Sequence, residues 1–183
     1  MVSTSRRRRS AGPEHLTEPD VPVTEVRVAL LTEGARASLR LRAHDVLALW
    51  SGAASGARVG RLCPRCGSAE HGRPVLPRGH ASLSYAESYA GGAALVAWCA
   101  TTPVGVDLAS RTSGDAGALG PLEDWARTEA LLKATGQGVA SPGALDGPLP
   151  RLWSAALALP GTLVGHVALA VEPGACVTVV STT

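Results

Sequence analysis

Asp107, Glu129 and Lys133 combine two carboxylates with one ammonium group, and they could act together at one reactive site. Lys133 is the only lysine among seventeen Lys and Arg residues, and it follows Glu129 by four positions. This spacing places both side chains on one face of a helix, where such a pair stabilises the helix by only about 0.2–0.5 kcal/mol. Lysine is also a compact point charge that suits a phosphate. A surface ion pair and a phosphate contact are therefore both open interpretations of Lys133.

Asp107 supplies a second carboxylate, 22 residues before Glu129 and near the end of a predicted strand. Carboxylates on a strand and on the following helix can converge on one hard cation, which prefers oxygen ligands and keeps several waters. Lys133, one turn beyond Glu129, would then face the same site. A structural alternative for Asp107 is the capping of backbone amides at a turn. If the two carboxylates meet, the set predicts a site for a divalent cation and a phosphate.

The elements predicted to carry these residues are a strand at 104–109 and a helix at 121–135. Pro121 suits the first helical position, Lys133 lies in the last turn, and Gly136 suits the C-cap. The remaining predictions are a helix at 37–50 and strands at 26–31, 81–86, 93–99, 152–159, 163–171 and 175–180.

Two further predictions concern pairing and loops. The strands at 93–99 and 104–109 flank a short turn and are predicted to form a hairpin. The segment 61–80 contains three prolines and is predicted to be loop-rich.

Composition excludes some classes of protein. The formal net charge is +2, and most of the excess comes from the four arginines at 6–9, so no basic face suited to duplex nucleic acid is expected. No apolar run reaches a membrane-spanning length. The chain is therefore predicted to be cytoplasmic, with no membrane or nucleic-acid partner, and residues 1–21 are predicted to be a disordered basic arm.

Cys63, Cys66 and His71 form a second group with possible chemistry. The two-residue gap between the cysteines is typical of a zinc knuckle, but a closed structural site needs four ligands. Loop thiols and a redox pair are the alternative interpretations. Four cysteines in a cytoplasmic chain of this length do not predict a disulfide framework.

Four motifs occur in the order typical of one family. They resemble the elements of 4′-phosphopantetheinyl transferases of the larger, pseudo-dimeric type, and the resemblance covers about residues 61–171. The family's Gly-Lys/Arg-Pro element is matched by Gly72-Arg73-Pro74, its Ile-Ser-His-Ser element by Leu83-Ser84-Tyr85-Ala86, and its signature pair by Gly105-Val-Asp107-Leu and Trp125-x-x-x-Glu129-Ala-x-x-Lys133-x-x-Gly136.

The resemblance implies a magnesium-dependent transfer of 4′-phosphopantetheine from coenzyme A to a serine of an acyl or peptidyl carrier protein. It implies that Asp107 and Glu129 hold the magnesium ion. Glu129 would also accept the proton of the acceptor serine, and Lys133 would contact the transferred or leaving phosphate. The residues expected to bind coenzyme A are Arg73, Ser84, Tyr85 and Lys133.

The resemblance also implies the architecture, in which two similar α+β halves pack as a pseudo-dimer with the cofactor groove between them. Residues 22–100 and 101–183 would be those halves, and a monomer is expected. Three positions depart from the family pattern: Tyr85 replaces a histidine, Ala109 a frequent second acidic residue, and Thr128 a common lysine. These departures favour an alternative function, a catalytically impaired relative that binds carrier protein or coenzyme A as an accessory factor.

Overall fold

The computed structural model describes residues 23–54, 57, 59–63, 66–88, 91–112, 120–137 and 147–182, so the arm predicted at 1–21 lies outside the described residues. Within these ranges the fold is mixed α+β, as predicted. The elements in chain order are β1 (Thr24–Gly34), α1 (Arg36–Ser51), β2 (Gly60–Leu62), β3 (Arg73–Val75), β4 (His80–Ser88), β5 (Gly91–Cys99), β6 (Val104–Ser110), α2 (Leu122–Thr135), β7 (Trp153–Leu157), β8 (Leu163–Leu169) and β9 (Val177–Thr182).

The larger sheet has four strands in the order β4-β5-β1-β9. β5 is antiparallel to both of its neighbours, and β9 runs parallel to β1. The interior of β5 reads Ala-Ala-Leu-Val-Ala and is fully buried, because both faces of this strand are covered. Leu95 belongs to the core shared with the smaller sheet, and Val96 belongs to the core beneath α1.

The smaller sheet has the order β6-β8-β7 and is antiparallel throughout. Alternate residues of a strand point to opposite faces. Val104, Val106 and Val167 therefore join the core between the two sheets, whereas Ala168 packs against α2. Burial of each such valine side chain stabilises the fold by about 1.5–3 kcal/mol.

Both sheets arise from the same succession of strand, helix, strand and strand. In the first unit, the elements β1, α1, β4 and β5 give the strand order β4-β5-β1. In the second unit, the elements β6, α2, β7 and β8 give the order β7-β8-β6. The last strand of each unit is therefore the central one. β2 and β3 form a separate two-stranded ribbon. β9 then returns from the C-terminal part of the chain to pair with β1.

The two helices are short and cover one sheet each. α1 buries Leu39, Ala43 and Leu47 against the larger sheet, and α2 packs on the smaller one. The predicted C-cap of α2 is confirmed, since Gly136 is left-handed and its N–H meets the carbonyls of the last turn. Neither of these helices, the ones found in the described ranges, is long and apolar enough to cross a membrane.

One pairing prediction is wrong. β5 pairs with β4 and β1 while β6 pairs with β8, so these two strands form no hairpin with each other. The reason is burial, because β5 is buried inside the larger sheet between β4 and β1, whereas β6 belongs to the smaller sheet. The described residues of the segment 61–80 are mostly loop, as predicted, and the segment also contains a short strand pairing, with Leu62 of β2 opposite Arg73 of β3. Pro74 is tolerated there because the ribbon has only edge strands.

Candidate functional site

α2 approaches β6 closely enough for a helix side chain to reach the strand. Three of the buried residues of α2 are small, namely Ala126, Ala130 and Ala134. On the strand side, a Cβ at Gly105 would overlap the carbonyl oxygen of Ala130. The glycine and the alanines together set the short distance that lets Lys133 reach β6.

Lys133 lies between the two predicted carboxylates. Its Nζ donates to Asp107 Oδ1 at 2.7 Å and to the carbonyl oxygen of Val106 at 3.2 Å. The same Nζ is 3.8 Å from Glu129 Oε2. The side chains of Asp107, Glu129 and Lys133 are 9%, 12% and 27% exposed, so water screens these ion pairs less than it screens surface pairs. The three residues meet at one site.

Two serines of β4 connect the larger sheet to β6 at this site. Ser84 Oγ donates to Asp107 Oδ1 at 2.8 Å, and Ser82 Oγ accepts from the Val106 N–H at 3.0 Å. Both serines are buried, and their spacing of two places them on one face of the strand. Asp107 is therefore fixed from two directions, by Ser84 from one sheet and by Lys133 from α2.

The pKa of Glu129 is shifted in the direction that suits a proton acceptor. Burial raises the pKa of Glu129; the Lys133 ammonium opposes that rise, and the Asp107 carboxylate adds to it. A carboxylate whose pKa is moved toward neutrality is a stronger proton acceptor at neutral pH. Asp107 and Glu129 also direct oxygen ligands toward one cationic group, which is a donor set that fits a hard divalent ion.

A cavity of about 320 Å³ opens beside Lys133. Four of its seven lining side chains are cationic, and they come from α1, β2 and α2. Cations gathered in one depression attract anions, and guanidinium groups match the geometry of phosphate oxygens. The lining residues are Arg36, Arg40, Arg61, Leu83, Ser84, Tyr85 and Lys133.

Arg61 is a cavity residue with a buried hydrogen-bond donor that a ligand could satisfy. Its Nε is buried, and no hydrogen-bond partner for it lies within the part of the chain that the structure describes. Burial lowers the pKa of Arg61 and the positive charge of Arg40 lowers it further, whereas the interaction with the Tyr85 side chain opposes this fall. Tyr85 lies nearby, with its ring 5.0 Å from the Arg36 guanidinium carbon. An anion in the cavity would give Arg61 the acceptor that a buried donor normally has.

The residues predicted to bind coenzyme A are divided between two places. Ser84, Tyr85 and Lys133 line the cavity. Arg73 instead donates through Nη2 to the carbonyl oxygen of Lys133, and its guanidinium packs beside Gly136. Burial lowers the pKa of Arg73. At this position its charge complements the negative end of the α2 dipole, and its contact with a phosphate stays a prediction.

Sequence reasoning missed Arg36, Arg40 and Arg61. One signal was available for the first two, because they occupy the first turns of α1 and no acidic residue does so. The positive end of a helix dipole disfavours cations there. Arginines in the first turns of α1 are therefore better placed to bind an anion than to stabilise the helix. Arg61 offered no such signal in a chain whose basic residues are almost all arginine.

Neither a protein-family model nor a curated protein matches this chain. Its function is therefore inferred from the residues above and their geometry.

Proposed function

We propose that this chain transfers 4′-phosphopantetheine from coenzyme A to a serine of an acyl or peptidyl carrier protein. The observation that carries the proposal is a cationic cavity that shares Lys133 with two largely buried carboxylates. Three of the four motifs that resemble phosphopantetheinyl transferases contribute Ser84, Asp107 and Lys133 to this place, whereas Arg73 of the fourth motif contacts the last turn of α2. Coenzyme A carries phosphates that suit the cavity, and the transfer needs a proton acceptor beside them.

The cavity arginines are proposed to hold the phosphates of coenzyme A. Arg36 and Arg40 belong to α1, and Arg61 belongs to the β2–β3 ribbon. The three guanidinium groups would therefore contact the phosphates from two sides of the cavity. Bidentate pairing of guanidinium with phosphate would satisfy the buried Nε of Arg61. Ser84 and Tyr85 would add hydroxyl donors.

The transfer itself is a phosphoryl displacement. The acceptor serine attacks the phosphorus that bears the pantetheine arm, and a new P–O bond forms while the bond to 3′,5′-ADP breaks. Glu129 would accept the serine proton, which its raised pKa favours. Lys133 would contact the phosphate oxygens on which negative charge develops. Asp107 would hold Lys133 in place.

Asp107 and Glu129 are the residues proposed to hold magnesium. Their oxygen atoms already converge on one cation, the Lys133 ammonium, and two carboxylates with water are a usual magnesium environment. When bound there, the ion would neutralise charge on the pyrophosphate.

The repeated topology supports the finer architecture expected of this function. We propose that the two units of strand, helix, strand and strand form a pseudo-dimer, with the cofactor groove between them. β4 of the first unit meets β6 of the second at Ser84 and Asp107, beside the cavity. A chain that contains both units is expected to act as a monomer.

A second candidate function is that of an accessory factor that binds carrier protein or coenzyme A without transfer. The observation in its favour is that one oxygen of Asp107 already accepts from both Ser84 and Lys133. This oxygen therefore already has two protein donors. Ala109 also supplies no third carboxylate.

Intact-mass analysis of apo carrier proteins incubated with coenzyme A, Mg²⁺ and this chain tests the proposal. A gain of one phosphopantetheine is expected, with loss of that gain in Glu129→Gln. Glu123→Gln is the matched control, because it neutralises an exposed carboxylate on the same helix. No gain on any carrier, while coenzyme A still binds, would support the accessory role instead.

A further inference from the structure

The connection from β2 to β3 brings together Cys63, Cys66 and His71. Their ligand atoms all lie within 4.8 Å of one another. Cys66 Sγ is 3.3 Å from His71 Nε2. A tetrahedral zinc ion with bonds of about 2.3 Å to sulfur and about 2.0–2.1 Å to nitrogen separates those two atoms by about 3.5 Å. The three side chains are therefore spaced as ligands of one ion.

The backbone around these side chains is ordered by its own hydrogen bonds. The Cys63 N–H donates to the Ser68 carbonyl at 2.9 Å, and the Gly67 N–H donates to the Cys63 carbonyl at 2.9 Å. A Cβ at Gly72 would overlap the backbone of Leu62 and Cys63. Glycine at this position therefore lets the chain return against the end of β2, which brings the histidine segment to the cysteines.

We propose that Cys63, Cys66 and His71 bind one zinc ion. Two thiolates and an imidazole form a soft donor set that selects zinc over magnesium or calcium. A redox pair would need only the two thiols, so it leaves the approach of the imidazole unexplained. The described residues supply three ligands at this cluster, and the fourth tetrahedral position is assigned to water.

The zinc ion would hold in place the segment that lies between Arg61 and Arg73. Arg61 stands two residues before Cys63 and lines the cationic cavity. Arg73 stands two residues after His71 and contacts the last turn of α2. The ion would therefore fix the positions from which both guanidinium groups extend. The metal site does not rest on the proposed transfer, since its occupancy is measured without coenzyme A.

Elemental analysis of the purified, untagged chain after dialysis tests the proposal. One zinc per chain is expected in the wild type, and at least a tenfold lower content in Cys66→Ser and in His71→Ala. Cys176→Ser is the matched control, because it removes an exposed thiol outside the cluster, and it should keep the metal. A wild-type chain without zinc, or equal zinc in all four proteins, would overturn the proposal.

Cobalt substitution gives a second test that does not depend on a variant folding. Co²⁺ added to the metal-depleted wild-type chain should produce thiolate charge-transfer absorption in the near ultraviolet and tetrahedral bands in the visible. Zinc should then abolish both signals by displacing the cobalt. A chain with a native circular dichroism spectrum that gives neither signal would contradict a site with two thiolates.

Discussion

Lys133 links the two halves of the candidate site, because its ammonium contacts both carboxylates and also borders the cavity. A partly buried charge needs close partners, since the interior solvates it poorly. Asp107 provides the shorter of the two ion pairs. The stability of the fold and the chemistry of the site therefore depend on the same contact.

Neutralising Asp107 should destabilise the protein more than neutralising an exposed ion-paired carboxylate. Asp107→Asn removes the nearer of the two counter-charges of Lys133 and is expected to lower the free energy of unfolding by about 1–3 kcal/mol. Glu25→Gln is the matched control, because its partner Arg27 is 41% exposed, and it should change that energy by less than about 1 kcal/mol. Urea denaturation measures both. Equal losses would mean that the Lys133 pair behaves as a surface pair.

His44 should make the stability depend on pH. Its Nε2 is buried and has no hydrogen-bond partner among the described residues. Burial lowers the pKa of His44, Arg61 and Arg40 lower it further, and Asp45 opposes them. Because the folded pKa lies below 6.5, the unfolded chain takes up the proton first as the pH falls, so the free energy of unfolding decreases below pH 6.5.

The measurement compares urea denaturation of the wild type and His44→Gln at pH 7.5 and 5.5. The wild type should lose more stability between these two pH values than the variant does. An equal or larger loss in His44→Gln would show that this histidine does not cause the dependence.

The residue types at the carboxylate site could be predicted, whereas most of the cavity could not. Glu129 and Lys133 share a helix face through local spacing, and Asp107 lies in the strand that precedes this helix, in its middle rather than near its end as predicted. The cavity instead combines α1, β2, β4 and α2, which are distant in sequence. Only tertiary packing places Arg61 beside Tyr85.

At the scale of elements, the contact between α2 and β6 determines whether Lys133 reaches Asp107. Gly105→Ala is expected to push the helix away from the strand and to lower the free energy of unfolding by about 1–3 kcal/mol. Gly174→Ala is the matched control, because a Cβ there would meet nothing within 4 Å, and it should be neutral or slightly stabilising. Thermal or urea denaturation distinguishes the two. A neutral Gly105→Ala would contradict the close packing.

The elements themselves were more predictable than their partners. The C-cap at Gly136 is confirmed because capping is a local property of the chain. The predicted pairing of β5 with β6 is wrong because a short turn does not determine which strand lies alongside. Burial of both faces of β5 decided its neighbours, and burial depends on the whole fold.

At the scale of the molecule, β9 ties the C-terminal part of the chain to the N-terminal part. It pairs in parallel with β1, and Val177 and Val179 pack against the core between the sheets. We therefore expect one cooperative unfolding transition, with tryptophan fluorescence and far-ultraviolet circular dichroism giving coincident curves. Two separated transitions would contradict this expectation.

Removal of β9 should destabilise the whole fold. A chain that ends at residue 176 loses one of the two strands that pair with β1, together with the two packed valines, and we expect a cost of about 3 kcal/mol or more. Val180→Thr is the control, because this side chain is 39% exposed and its loss should matter little. A truncated chain as stable as the control would show that β9 is dispensable.

Binding of coenzyme A, measured by titration calorimetry, tests the cationic cavity most directly. The wild type should bind it, and Arg61→Gln should weaken the affinity at least tenfold, or about 1.4 kcal/mol. Arg151→Gln, which removes an exposed arginine outside the cavity, should leave the affinity unchanged. A folded wild-type chain that does not bind coenzyme A would contradict the proposed transfer, and equal affinities for all three proteins would contradict the role given to Arg61.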